Sequence, residues 1–94
     1  MTIYCMPNHS NTNTIGIAVS KKFSKSSVKR NRVKRLIKEI YRLNENHIKI
    51  GFSIVFIWKS TVDFHEVSFD AILKDFLKCM KKADLLLEEE EKNA

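Results

Sequence analysis

The sequence predicts a two-layer α/β sandwich, in which two helices cover one face of a small sheet. The spacing of the apolar residues changes along the chain in the order strand, strand, helix, strand, helix. A strand–helix–strand unit places its two strands parallel in one sheet, because parallel neighbours need a long crossover connection. A chain of 94 residues can bury one modest core, so both helices must pack on the same face of the sheet.

The first two elements are short strands. Residues 2–6 are β-prone and are followed by Pro7 and Asn8, and a polar loop then leads to the second strand at residues 15–20. That strand alternates large side chains with the small residues Gly16, Ala18 and Ser20. We expect the two strands to be antiparallel neighbours, with room for close packing or a groove on the small-residue face.

The third element is a helix from Ser27 to Asn44, with Ser26 or Ser27 as its N-cap. Its apolar residues recur at steps of three and four and form one stripe, made of Val33, Leu36, Ile37, Ile40 and Leu43. A second stripe on the opposite side is cationic, made of Arg30, Lys34, Lys38 and Arg42. The helix therefore has one face for the core and one face for an anion.

Positive charge is concentrated in this helix and the connection before it. The chain has a net charge of +6, but ten basic residues and a single acid lie between Lys21 and Arg42, so this window carries +9 and the remainder −3. Cations in a first helical turn oppose the macrodipole, and like charges at i, i+4 repel, so folding alone gives no reason for them. A solvated helix face usually mixes both signs. The pattern favours binding to a polyanion, of which nucleic acid is the commonest.

The last two elements are an apolar strand and an amphipathic helix. Residues 52–58 are almost continuously apolar, which predicts a strand covered on both faces or nearly so, with its aromatic residues Phe52, Phe56 and Trp58 in the core. Asp63 and Glu66 predict a capping box for the following helix. The apolar positions of that helix are Phe69, Ile72, Leu73, Phe76, Met80 and Ala83. We expect one domain over residues 1–87 and a disordered acidic tail over residues 88–94.

Several classes of protein are disfavoured. No apolar run approaches the roughly 18 to 20 residues of a membrane span, and no secretory signal is visible, so we expect a cytoplasmic protein without membrane contact. Cys5 and Cys79 have neither metal nor redox spacing and are interpreted as small buried apolar residues. The three histidines lie in separate segments. We therefore expect no metal site, no small-molecule cofactor and no catalytic residue on the chain.

Recognition of an anion is then the chemistry that the sequence supports. Arginine offers a planar fork of donors that grips phosphate at two points, whereas lysine acts as a mobile point charge. Tyr4 lies on the first strand, where it either packs in the core or stacks on a single-stranded base. The residues leave that choice open.

Two linked segments resemble the bacterial ribonuclease P protein component. One is a strand that ends in Ser-Lys-Lys (residues 15–22), and the other is the Arg-Asn-Arg-x-Lys-Arg helix (residues 28–39). They occur in the family's order and at a spacing that the family allows. The resemblance continues through the apolar strand and the last helix, over residues 2–82.

This resemblance implies a fold similar to domain 2 of ribosomal protein S5, with a left-handed strand–helix–strand crossover where general statistics favour a right-handed one. It implies an accessory subunit of ribonuclease P, which binds a catalytic RNA that holds the Mg²⁺ ions and removes the 5′ leader from precursor tRNA. Tyr4 matches a strand position that faces the leader cleft. By position, the RNA-facing residues are Lys21, Lys22, Arg30, Asn31, Arg32, Lys34, Arg35 and Lys38.

The chain departs from the family pattern at its start. Family members begin with a basic arm and a short aromatic helix that lines one wall of the cleft, and this N-terminally shortened sequence starts at the following strand. We therefore expect either that this wall is absent or that the start of the sequence is set too late. Two alternatives stay open: a general RNA- or DNA-binding module without a role in cleavage, and an interaction protein whose basic face docks on an acidic partner.

Overall fold

The computed structural model describes residues 1–59 and 67–87. The order of elements is the predicted one. In chain order they are β1 (Thr2–Pro7), β2 (Thr14–Val19), α1 (Ser27–Asn44), a short 3-10 turn (Glu45–His47), β3 (Phe52–Trp58) and α2 (Phe69–Lys82). The predicted capping pair Asp63 and Glu66 and the acidic tail lie outside the described residues.

The sheet has three strands in the order β1-β3-β2. β2 runs parallel to β3, as predicted, while β1 runs antiparallel to β3. The expectation that β1 and β2 are neighbours is wrong, because β3 lies between them. β3 is the most apolar of the three strands, and the central position removes the most surface from water.

The sheet has one covered face and one open face. Along β3, Ile54, Phe56 and Trp58 are buried, whereas Val55 between them is 40% exposed. The prediction that β3 is covered on both faces or nearly so is therefore wrong at Val55. Both helices pack on the face of the buried residues, as predicted, and leave the other face to solvent in the described part of the chain.

Three aromatic rings join the two layers. The ring of Phe56 on β3 lies 5.4 Å from that of Phe76 on α2 in a stacked arrangement, and 6.1 Å from that of Tyr41 on α1 in an edge contact. Aromatic pairs of this geometry stabilise a core by about 0.5–1.5 kcal/mol beyond their buried area. The predicted placement of Phe56 and Trp58 in the core is confirmed, and Phe52 is partly buried against it.

Helix α1 begins and ends where the sequence predicts. The Ser26 Oγ accepts a hydrogen bond from the backbone N–H of Lys29 at 3.3 Å and caps the helix. Leu43 is 63% exposed, so its predicted place in the apolar stripe is wrong; Tyr41 is buried instead. Tyr41 lies one turn after Ile37 and so faces the sheet, whereas Leu43 has turned away from it.

Helix α2 is capped by Ser68, whose Oγ accepts a hydrogen bond from the backbone N–H of Ala71 at 3.1 Å. The prediction that Asp63 caps this helix is therefore wrong, because the helix begins at Phe69, directly after Ser68. Ile72, Phe76 and Met80 are fully buried, as their spacing predicts. After the helix, Leu85 is also buried.

The chain beyond α2 is held against the segment that follows α1. Ile48 and Leu86 form an antiparallel bridge, and the backbone N–H of Leu87 donates to the carbonyl of His47 at 2.8 Å. The Lys49 ammonium lies 3.3 Å from the Asp84 carboxylate. This segment therefore closes the core at the end of the molecule where both helices finish.

Asn13 connects three parts of the chain through its side chain. Its Nδ2 donates to the hydroxyl of Tyr41 at 3.1 Å and to the carbonyl of Lys49 at 2.9 Å, and its Oδ1 accepts from the backbone N–H of Phe52 at 2.9 Å. The loop before β2, the helix α1 and the start of β3 are fixed to one another at this residue. In the sequence, Asn13 is distinguished only by its place in a polar loop.

The interpretation of both cysteines as buried apolar residues is wrong. Cys5 is exposed because it lies towards the end of the edge strand β1, and Cys79 on α2 is partly buried. Burial, followed by the neighbouring Asp75 carboxylate, raises the pKa of the Cys79 thiol. The Cys79 Sγ donates to the carbonyl of Met1 at 3.1 Å.

Candidate nucleic-acid interface

The candidate interface is the cationic surface of α1 and of the turn that leads into it. α1 packs on the sheet through Val33, Ile37 and Ile40, all fully buried, so its other side is fixed towards solvent. The first turn of α1 contains no acidic residue that could offset its cations. Seven predicted residues are exposed on this surface: Lys21, Lys22, Asn31, Arg32, Lys34, Arg35 and Lys38.

The turn before α1 holds Lys21 and Lys22 at the end of the parallel strands. The backbone N–H of Ser20 donates to the carbonyl of Trp58 at 2.9 Å, which ties the turn to β3. The Ser20 Oγ accepts from the backbone N–H of Lys22 at 3.0 Å. Both lysines are thus displayed by an ordered turn next to the start of α1.

Arg30 is placed differently from the other seven residues. It lies seven residues before Ile37, close to two turns, and so projects from the core-facing side of the helix. It is partly buried, and its Nη1 donates to the carbonyl of Ser24 at 2.8 Å. Its predicted position on the face opposite the core is wrong, and the guanidinium holds the turn before α1 against the helix.

The exposed candidate cations are not paired with carboxylates of the described residues. Across residues 1–59 and 67–87, none of the seven exposed candidates forms an ion pair with a carboxylate. Arg42, near the end of α1, lies 3.6 Å from Glu39, and both side chains of this pair are largely exposed. The surface therefore carries a net positive charge that the described part of the protein does not neutralise.

A groove lies between β2 and α1 beside these cations. Its volume is about 270 Å³, and it is lined by Ile15, Ile17, Lys34, Arg35 and Lys38. The isoleucines of β2 form its apolar floor, and the cations of α1 form one side of its rim. The helical pattern predicts that the three cations share one face of α1, but it does not show that this face lies beside β2. Only the packing of α1 on the sheet brings β2 close to them.

The open face of the sheet is a second candidate surface. Tyr4, Val55 and Gly16 are partners at one level across the three strands, and Tyr4 is 59% exposed. A Cβ added at Gly16 would meet only the side chain of Val55, at 3.9 Å. Because Gly16 has no side chain, the surface is shallow at the β2 end of this row. Tyr4 therefore stands at the side of a shallow apolar surface, away from the core in which a strand tyrosine is usually found.

The side chains of the described residues form neither a metal site nor a membrane span. In residues 1–59 and 67–87, no three histidine, cysteine, aspartate or glutamate side chains converge in an arrangement able to hold a metal ion. No helix within those same ranges is long and apolar enough to cross a membrane.

The family model for ribonuclease P matches residues 1–84 of the chain. The chain belongs to the ribonuclease P protein family. It is 43% identical over 86 residues to the ribonuclease P protein component of Clostridioides difficile, an alignment that covers 90% of this chain and 73% of that protein. It is 40% identical to the component of Alkaliphilus oremlandii, with 92% and 73% covered. The resemblance seen in the two linked motifs is confirmed.

Solved ribonuclease P proteins share the fold. The protein from Thermotoga maritima superimposes with a TM-score of 0.76 at 30% identity, over 85% of this chain and 74% of that one. The protein from Staphylococcus aureus gives a TM-score of 0.75 at 26% identity, over 88% and 73%. The predicted α/β sandwich of two helices on one small sheet is thereby confirmed.

Proposed function

We propose that this chain is the cytoplasmic protein subunit of a ribonuclease P, which binds the catalytic RNA and assists endonucleolytic removal of the 5′ leader from precursor tRNA. The observation that carries the proposal is the cationic surface of α1 and the turn before it, in a member of the ribonuclease P protein family. Its six exposed candidate lysines and arginines have no carboxylate partner within the described residues.

The cations of α1 are suited to the phosphates of a folded RNA. Their placement opposes the helix macrodipole and sets like charges one turn apart, which costs some tenths of a kcal/mol for each. Phosphates at this surface would relieve both penalties. Arg32 and Arg35 can each grip a phosphate at two points, and Asn31 beside them can donate or accept a hydrogen bond.

The open face of the sheet is suited to the single-stranded leader. Bases without a pairing partner stack on aromatic side chains, and Tyr4 offers an exposed ring for this. The open face and the α1 surface lie on opposite sides of the sheet. The protein would thus contact the catalytic RNA with one side and the leader of the substrate with the other.

We assign bond cleavage and the Mg²⁺ ions to the RNA subunit, as the resemblance implies. The contribution of the protein is to bind and orient. It lowers the repulsion between two RNA molecules by placing cations next to their phosphates, so its effect should be largest when Mg²⁺ is scarce.

Reconstitution with ribonuclease P RNA tests the proposal. The wild-type chain should accelerate cleavage of precursor tRNA at low Mg²⁺. The double variant Lys22→Ala/Arg32→Ala should lose most of this acceleration, and its affinity for the RNA should fall by roughly 1–3 kcal/mol for each charge-assisted hydrogen bond that is removed. Its plot of log affinity against log salt should flatten by about 0.7–0.9 units for each phosphate that is no longer bound.

A variant with the same loss of charge elsewhere is the control. Lys78 and Lys81 are exposed on α2, so Lys78→Ala/Lys81→Ala should change cleavage and the salt slope far less. A salt slope in Lys22→Ala/Arg32→Ala equal to that of wild type would contradict the placement of RNA on α1. Equal binding to any RNA duplex, without acceleration of cleavage, would instead identify a general RNA-binding module.

A further inference from the structure

We propose that the groove between β2 and α1 binds one unpaired nucleotide of the RNA that α1 contacts. The base would lie on Ile15 and Ile17, and the flanking phosphates would lie at Lys34, Arg35 and Lys38. This inference rests on the proposed function and adds to it a site that reads a base rather than the backbone alone.

The floor of the groove is apolar and accessible. Ile15 and Ile17 are in register with the buried residues Ile54 and Phe56 of β3, so they project to the helix side of the sheet. Both stay only partly buried, because β2 is an edge strand and no further strand lies beside it in the described part of the chain. A flat heterocycle placed there would remove apolar surface from water.

The rim of the groove is cationic on one side. Lys34 and Lys38 lie one turn apart on α1, and Arg35 follows Lys34 directly, so three positive charges border one groove. Among the described residues no carboxylate pairs with them. A phosphodiester on each side of a nucleotide would supply two negative charges at this rim.

A single unpaired nucleotide fits this combination better than other anions. It joins an apolar ring to flanking phosphates, whereas the bases of a continuous duplex are stacked inside and cannot reach the floor. At about 270 Å³ the groove is smaller than the pockets that enclose drug-sized ligands, roughly 300–1,000 Å³. Because β2 is an edge strand, its outer backbone groups can also bond to the edge of a base.

Three RNA duplexes of one sequence test the proposal with the full chain. One is fully paired, one carries a single bulged adenosine, and one carries an abasic ribose at the bulge. We expect the bulged duplex to bind about tenfold more tightly than either of the other two. A tenfold difference in affinity is about 1.4 kcal/mol. Burial of roughly 55 Å² of apolar surface of the base would supply this free energy. Equal affinity for the bulged and abasic duplexes would overturn the proposal, because the base would then contribute nothing.

A matched pair of variants locates the effect. Ile17 on β2 and Ile3 on β1 are both in register with Phe56, from opposite sides of β3, and both are partly buried. Ile17→Thr should abolish the preference for the bulge, and Ile3→Thr should keep it, while thermal unfolding shows a similar loss of stability in both. Loss of the preference in both variants would overturn the assignment to this groove.

The groove proposal and the proposed function can fail independently, and the experiments distinguish the two failures. If the wild-type protein accelerates precursor cleavage but shows no preference for the bulge, the groove proposal alone fails. If it prefers the bulge but does not accelerate cleavage, the role in ribonuclease P fails and the nucleotide site stands. The wild-type comparison needs no variant, so it decides the question even if Ile17→Thr does not fold.

Discussion

Arginines of one motif have different environments in this protein. Arg30 is partly buried and bonded to a carbonyl of the preceding turn, whereas Arg32 is exposed, with no carboxylate bound to it in the described residues. The difference follows from helix geometry, since two residues rotate a side chain by about 200° around the axis. The side chain of Arg30 therefore contributes to folding, and its role towards RNA stays a prediction.

Glycine is required at Gly51 but not at Gly16. Gly51 has a φ of +94°, and a Cβ there would lie 3.1 Å from the backbone oxygen of Ser10. Gly51→Ala should lower the free energy of unfolding by about 1–2 kcal/mol, because a side chain disfavours positive φ. Urea unfolding measures this, with Gly16→Ala as the control, since its added Cβ meets only Val55 at 3.9 Å. If Gly51→Ala and Gly16→Ala lower the free energy of unfolding equally, the positive φ of Gly51 is not the cause of the loss.

The ring of Tyr4 is expected to contact the leader. Tyr4→Leu keeps an apolar side chain but removes the stacking surface, so binding of precursor tRNA with a leader of several nucleotides should weaken by about 1–3 kcal/mol. Mature tRNA, which has no leader, is the control and should bind the variant and wild-type holoenzymes equally. If the variant holoenzyme binds the precursor as tightly as the wild-type holoenzyme does, Tyr4 does not contact the leader.

At the scale of elements, α1 is the part of the fold that local sequence determines. Its cap, its length and its apolar stripe all follow from short-range patterns, and its bounds are the predicted ones. The strands are different. Residues 2–6 and 15–20 look like neighbours because they are adjacent in sequence, but pairing depends on which strand offers the most apolar surface to the centre of the sheet.

The cap of α1 should stabilise the start of the cationic helix. Ser26→Ala removes the oxygen that accepts from the backbone of Lys29, so the free energy of unfolding should fall by about 1 kcal/mol. Ser27→Ala is the matched control, because Ser27 is the first helical residue and is exposed. Thermal or urea unfolding in which Ser27→Ala is the more damaging change would show that the cap is assigned to the wrong serine.

At the scale of the whole molecule, the described residues form a sandwich with one sheet face open, and its core is completed by the segment after α2. Leu85 is 1% exposed, and backbone bonds tie its neighbours to the segment after α1. Leu85→Ala should therefore cost about 2–5 kcal/mol of unfolding free energy. Leu87→Ala, at a residue that is 46% exposed, should cost less than about 0.5 kcal/mol in the same measurement. Similar losses of unfolding free energy in the two variants would show that Leu85 is not part of the core.

The sequence by itself determined the order of the elements, the bounds of α1, most of the core and the family, because these depend on periodicity, capping and linked motifs within short stretches. It also indicated candidate anion-binding residues, since charge of one sign on a helix is visible without coordinates. Only the tertiary structure decided that β3 separates β1 from β2 and that the described residues leave one side of the sheet open. It also placed Arg30 towards the core and Ile15 and Ile17 beside the cations of α1. Each of these depends on contacts between residues far apart in the chain, and local patterns carry no information about which distant surfaces meet.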